Sequence, residues 1–199
     1  MMKLITTKWA GALAAIALLG FSSGAVAQEF EFDVNHTHIL YTVSHFGFSN
    51  VHGEFVGFEG TADFNPDDLE AARFDITIDT ASVDSGFATR DEHMRGENWF
   101  NVAEFPTMHF VTTSVERTGE TTARMVGDLT LMGETRSVAL DVVLTGTGRH
   151  PFRAQQEIFG FLATGMITRS EFGMDYGLPY LGDEISLTIE TEIHRTLAE

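Results

Sequence analysis

Histidine is the side chain in this sequence best suited to chemistry near neutral pH. His36 and His38 stand two apart, a spacing that puts both imidazoles on one face of a strand, with His45 further along near a bend. Such a pair could begin a metal site. No third ligand follows at a usual metal spacing, HExxH is absent and cysteine is missing altogether, so no metal is assigned and thiol chemistry is excluded. His52, His93, His109, His150 and His194 are scattered. Acyl transfer would need a nucleophile held against a base, and there is no GxSxG elbow. Neither GxGxxG nor a phosphate loop is present, so no nucleotide cofactor is assigned. With 29 acidic residues, neighbouring carboxylates are expected from composition alone. No residue is assigned a catalytic role, and a binding function is expected ahead of an enzymatic one.

Two other features point to binding. The run Arg90-Asp91-Glu92-His93-Met94-Arg95 concentrates both signs of charge in a Pro-free stretch and is followed by Trp99, Phe100 and Phe105-Pro106. It is expected to form a short helix over Ala88 to Arg95, either as a lid with Arg90 and Asp91 at its mouth or as a cap tied to the strands by those two residues. Phenylalanine occurs 17 times, including Phe46, Phe48, Phe55 and Phe58, and Met125, Met166 and Met174 add thioethers. Such side chains make an ordinary core or the adaptable wall of an apolar ligand cavity.

The elements that must position these residues are strands. Ile39, Tyr41 and Val43 alternate with Leu40, Thr42 and Ser44, and Phe74, Ile76 and Ile78 alternate with Asp75, Thr77 and Asp79. The same period of two returns in Val138, Leu140, Val142 and Leu144 and in Ile185, Leu187 and Ile189, then Ile193. Turn signals at Asn65-Pro66-Asp67-Asp68, Arg117-Thr118-Gly119-Glu120, Met132-Gly133-Glu134 and Leu181-Gly182-Asp183 divide the chain into roughly eight to nine antiparallel strands. The longest interruption lies between Thr80 and Pro106. Closing the sheet removes its edges, and about eight strands enclose room for one small ligand. A two-sheet sandwich would show the same alternation, and the barrel is placed ahead of it.

Residues 1–27 carry Lys3 and Lys8, an apolar stretch from Trp9 to Phe21 and small residues ending at Ala25-Val26-Ala27, the pattern of a cleaved secretory signal. The apolar stretch is too short to span a bilayer, and no later run replaces it, so stable membrane insertion is not expected. Cleavage leaves 172 residues, expected to be a single domain over residues 28–199 in the periplasm. Loss of two lysines takes the formal net charge from −17 to −19. Binding to nucleic acid or to anionic lipid relies on basic side chains, and an acidic surface opposes both. It suits solubility, or docking of a partner onto a barrel filled by its own side chains. Exposed strand edges are compatible with a homodimer.

Several motifs then agree in order and spacing: Asp33-x-x-His36-Thr37, Gly53-x-Phe55, Ser82-Val83-Asp84-Ser85-Gly86, the Arg90–Arg95 run, Asn98-Trp99-Phe100-Asn101-Val102, Phe105-Pro106-Thr107-Met108-x-Phe110, Gly127-Asp128-Leu129-Thr130-Leu131-Met132-Gly133 and Arg169-Ser170-Glu171-Phe172-Gly173. From about Phe30 to Ile193 the chain resembles the YceI-like family of bacterial periplasmic polyisoprenoid-binding proteins. That resemblance implies a lipocalin-like antiparallel barrel holding a long isoprenoid, a polyprenyl lipid or a quinone tail. Phe46, Phe48, Phe55, Phe58, Phe100, Met125, Met166 and Phe172 are then the expected wall, with Arg90, Asp91 and Arg169 near the mouth or locking the lid. Trp99 stands where the family usually has Phe, and Met94 and Met132 stand where Leu and Arg are common; the last change falls in a turn.

Overall fold

The computed structural model describes residues 28–197; the expected signal peptide lies outside the described residues. Eleven strand segments alternate with short turns: β1 (Gln28–Phe32), β2 (His38–His45), β3 (Ser49–Phe55), β4 (Phe58–Phe64), β5 (Arg73–Asp79), β6 (Val83–Asp84), β7 (Thr107–Arg117), β8 (Thr122–Leu131), β9 (Glu134–His150), β10 (Arg153–Thr168) and β11 (Leu181–Thr196). Among the described residues one α-helix, α1 (Ala88–Arg95), occupies the residues expected of it.

These segments fill eight positions in a closed antiparallel barrel. β11 pairs with β10 on one side and, on the other, with β2 near its start and β1 near its end. β1 and β2 are thus two halves of one barrel strand, as are β3 and β4, which pair with them in turn. β5 and β6 form a third interrupted position beside β4 and β3, and β7, β8, β9 and β10 complete the ring. The expectation of eight to nine strands therefore holds for barrel positions, with extra segments created by breaks at residues 33–37, 56–57 and 80–82.

The first and third breaks have a local cause. At the first, the Asp33 carboxylate accepts from Asn35 N (3.0 Å) and pairs with His36 Nδ1 (2.9 Å), and Thr37 Oγ1 donates to the Asp33 carbonyl (2.8 Å). These local bonds compete with the sheet ladder and turn the chain. His36 thus lies in a turn ahead of β2, so it and His38 do not share a strand face; His38 lies against Glu54 instead (3.3 Å). At the third break Thr80, fully buried, donates through its hydroxyl to Phe105 O (2.8 Å) and through its amide to Pro106 O (3.0 Å). β6 is only two residues long, and α1 with the segment that follows covers the ground between it and β7.

Expected turns lie at Asn65–Asp68, between β7 and β8, and at Met132-Gly133, where both residues have positive φ in a two-residue hairpin. Leu181-Gly182-Asp183, expected as a turn, is instead the irregular start of β11, where the register with β2 shifts between Leu181 and Ile185.

Two apolar clusters fill the barrel unequally. At one end Phe30, Phe64, Phe159 and Phe161 meet edge to face at 5.1–5.6 Å, joined by buried Ala62, Ala72 and Ile193. Arg195 covers this floor, 5.0 Å from the Phe30 ring and paired with Glu157 at 2.6 Å. The larger cluster runs from the middle of the barrel to the α1 end. Two rings of its wall lie across glycines on the neighbouring strand: Tyr41 over Gly53, directly opposite, and Phe110 over Gly127. A Cβ at either glycine would intrude on the ring.

Gly127→Ala should therefore lower stability by about 1–3 kcal/mol as Phe110 is driven inward, whereas Gly146→Ala, with open space around it, should stay within about 0.5 kcal/mol of the parent; urea unfolding of the two variants checks both. The Asp33–His36 pair sets a pH window. The hydrogen bond and charge of Asp33 raise His36 above 6.5. Burial pushes the Asp33 carboxyl up, but bonds from His36 and Asn35 outweigh it and hold the group below 3.8. The stabilisation is complete between those two values, fades as pH rises through the raised His36 value and fades again as pH falls through the lowered Asp33 value. In an NMR titration His36 should titrate above 6.5, and Asp33→Asn should bring it back towards that value.

Candidate ligand-binding cavity

Inward-facing side chains above the phenylalanine floor leave a cavity of about 260 Å³. β7 lines it from Met108 to Val115, a span of about 23 Å along the strand or about 18 Å along the barrel axis at a usual strand tilt. The cavity is thus elongated. Its side walls come from the alternating rows: Ile39, Tyr41 and Val43 of β2, Ile76 and Ile78 of β5, and Leu187 and Ile189 of β11 among them. Outward neighbours on the same strands are polar, such as Thr42, Ser44, Asp75, Thr77 and Asp79. Apolar inside and polar outside is the inverse of a water-filled barrel that spans a bilayer.

No polar atom is presented to the cavity. The hydroxyl-bearing wall residues turn their oxygens elsewhere. Tyr41 Oη donates to Met94 Sδ at 3.5 Å, and burial, reinforced by the charge of Asp91, pushes the phenol up to about 12, so it stays neutral across the physiological range. Thr37 donates through Oγ1 to the Asp33 carbonyl at 2.8 Å and meets Thr191 Oγ1 at 2.7 Å. Such a wall can hold hydrocarbon and offers nothing that would bind a charged group or carry a proton.

The other end is roofed by Met94 of α1, Trp99, Phe100, Met174 and Arg169. Arg169, 1% exposed, donates to three carbonyls: Met174 O (2.6 Å), Gly182 O (2.8 Å) and Leu181 O (3.2 Å). Its guanidinium lies 5.3 Å from the Trp99 ring centre, and burial pulls it below the usual arginine value against the opposing charges of Asp183 and Asp175. One cation thereby fixes the Met174–Gly182 segment to the roof, a use for which the five-donor guanidinium is suited. α1 is fastened in the same way. Asp91 accepts from Ser85 N (2.9 Å), Arg90 donates to Ser85 O and Oγ (both 2.7 Å), and Arg95 donates to Ala81 O (2.7 Å) and Val83 O (2.9 Å).

Of the expected site residues, Phe55, Phe58, Phe100, Met125 and Arg169 border the cavity. Phe172 is fully buried in the same apolar cluster, behind the lining surface. Five expected site residues are corrected on placement. Phe46 and Phe48 lie exposed at the β2–β3 hairpin tip, and Met166 is exposed on the outer face of β10. On β10 the inward residues are Phe161, Ala163 and Ile167, one step out of phase with Met166. Arg90 and Asp91 tie α1 to residue 85 and do not border the cavity, the cap arrangement instead of the mouth.

The wall also includes residues that the sequence did not assign to it. Trp99, Leu187 and Ile189 stood in recognised motifs or rows, whereas Ala123 and Ala163, whose small size widens the cavity, carried no signal. Outside the barrel Asp33, His36 and Glu192 bring ligand-capable atoms within 4.8 Å of one another, a grouping that replaces the His36/His38 pair considered from spacing.

Comparison with known proteins places this geometry. The family model for the YceI-like domain matches residues 30–193. Protein YceI of Salmonella arizonae is 36% identical over 180 residues, which cover 89% of this chain and 93% of that protein. The crystal structure of a Campylobacter jejuni YCEI protein superposes with a TM-score of 0.66 at 30% identity, covering 78% of this chain and 90% of the other. The structure of a polyisoprenoid binding domain from Saccharophagus degradans superposes with a TM-score of 0.59 at 14% identity, covering 84% and 98%, and shares the fold. With a matched family model spanning both the floor and the roof of the barrel, the chain belongs to the YceI-like family.

Proposed function

We propose that this protein binds the hydrocarbon tail of an isoprenoid lipid, a polyprenyl lipid or a quinone, inside its barrel, as a periplasmic binding protein and without turnover. The observation that carries the reading is the elongated cavity with no polar atom exposed in its wall. Family membership and the polyisoprenoid binding named for the Saccharophagus degradans domain support the same ligand class. The signal-like residues 1–27 support export.

The energetics favour a long chain over a small molecule. Burying one methylene contributes about 0.8 kcal/mol, so a five-carbon isoprene unit contributes about 4 kcal/mol gross. Association costs an estimated 4–15 kcal/mol, so one or two units leave little or no surplus and several are needed for tight binding. Because the wall is apolar throughout, a polar head group stays outside the cavity. Discrimination among tails differing by one methylene is weak for the same reason.

Native mass spectrometry of the mature protein purified from its own periplasm, followed by organic extraction, should reveal a retained isoprenoid near one-to-one. Ala163→Trp places a large ring in the cavity and should abolish retention while the protein still folds by circular dichroism. A wild-type protein that is clean and takes up no added quinone or polyprenyl lipid would refute the reading, as would full retention by Ala163→Trp.

A further inference from the structure

Four aromatic side chains stand exposed on two adjoining loops at the roofed end: Phe46 (49% exposed) and Phe48 (92%) on the β2–β3 hairpin, Tyr176 (53%) and Tyr180 (70%) just before β11. The loops are stitched together, since Phe46 N donates to Tyr180 O at 2.9 Å and the two rings are 6.3 Å apart. Tyr176 in turn packs edge to face on Trp99 at 5.8 Å, and Trp99 borders the cavity. The apolar surface is therefore continuous from the cavity wall to solvent.

The hairpin tip is also built at a cost to the backbone. Phe46 has φ +56° beside Gly47 at φ +72°, and Phe48 N closes the turn on His45 O at 3.0 Å. Asn or Asp occupies a left-handed turn position readily, whereas a bulky aromatic is an outlier there. A turn selected only for folding would not place phenylalanine at this position; here the strained residue is the one whose ring joins Tyr180.

We propose that this aromatic rim docks the roofed end of the barrel onto the interface of a lipid bilayer. The inference rests on the isoprenoid reading for its purpose, because such a cargo resides in bilayers and must cross from one to the cavity. Tyrosine and phenylalanine suit that interface, where an apolar ring and a polar tip are both accommodated. Residues 45–49 and 173–181 hold no lysine or arginine, and Asp175 is their one formal charge. Docking is thus driven by ring burial, and the chain's strong negative charge makes anionic headgroups repel it.

Trp99 is the one tryptophan after residue 27 and lies beneath the rim, so it reports docking directly. The test is quenching of Trp99 by ligand-free vesicles of bromine-labelled phosphatidylcholine, in the mature wild type and in the double variant Phe48→Ser/Tyr180→Ser, whose altered side chains are solvent-facing. Wild type should be quenched, the double variant should bind at least about tenfold more weakly, and admixed phosphatidylglycerol should weaken wild-type binding. Equal quenching of both proteins, or none in wild type, would overturn the proposal. Loading with a polyprenol from detergent micelles tests the cavity separately: it should be equal in the two proteins, and its failure in both would sink the isoprenoid reading while leaving the vesicle result to decide docking.

Discussion

The interior of this protein exists because one strand edge is shared by two segments. Along Leu181–Glu190 the outer edge of β11 pairs with β2, and at Ile193 and His194 it pairs with β1. The handover falls at the turn around Asp33, where Asp33 N donates to Glu192 O at 2.9 Å and the Thr37 and Thr191 hydroxyls meet at 2.7 Å. Without that step the first barrel strand would run past its partner, and the sheet would keep two open edges. Closure satisfies those edges internally and obliges the chain to enclose a volume.

What occupies that volume follows from side-chain size. At the floor, interlocked phenylalanine rings leave little space. Higher up, Tyr41 and Phe110 fold back over Gly53 and Gly127 instead of projecting across the barrel, and Ala123 and Ala163 add small positions to the wall. The rings thus line the cavity that they would otherwise fill. Burying them against glycine recovers contact on the strand surface in exchange for empty space in the middle.

The two ends are held by different physics. The floor relies on aromatic packing with Arg195 over its outer ring, whereas the roof is irregular backbone that no strand ladder satisfies. Its carbonyls are met by guanidinium groups: Arg169 takes three and Arg95 two, and Arg90 with Asp91 secures the start of α1 at Ser85. Charged side chains here serve to fasten loops, which is why a motif rich in arginine, aspartate and histidine can frame a cavity without entering it. Tyr176 and Tyr180 remain outside this network, at the surface of the segment that Arg169 anchors.

Local pattern in the sequence determined much of the architecture. The period-two rows on β2, β5, β9 and β11 marked the buried faces, and the Pro-free run bounded α1, because both signals depend on neighbours within a few residues. Ring closure did not follow, since a sandwich shares the same alternation and only the pairing of β1 with β11, some 160 residues apart, distinguishes them. The site was legible in part for the same reason. Phe55 and Phe58 both face inward although they are three apart, because the break at Val56-Gly57 resets the strand phase. On β10 residue type favoured Met166, yet strand parity turns Ala163 and Ile167 to the cavity and leaves methionine outside. Phe46 and Phe48 have the composition of a wall and the position of a hairpin tip. Residue type determined that an apolar surface would be made; the register of long-range strand pairing decided which side chains face it, because a shift of one residue exchanges the two faces of a strand.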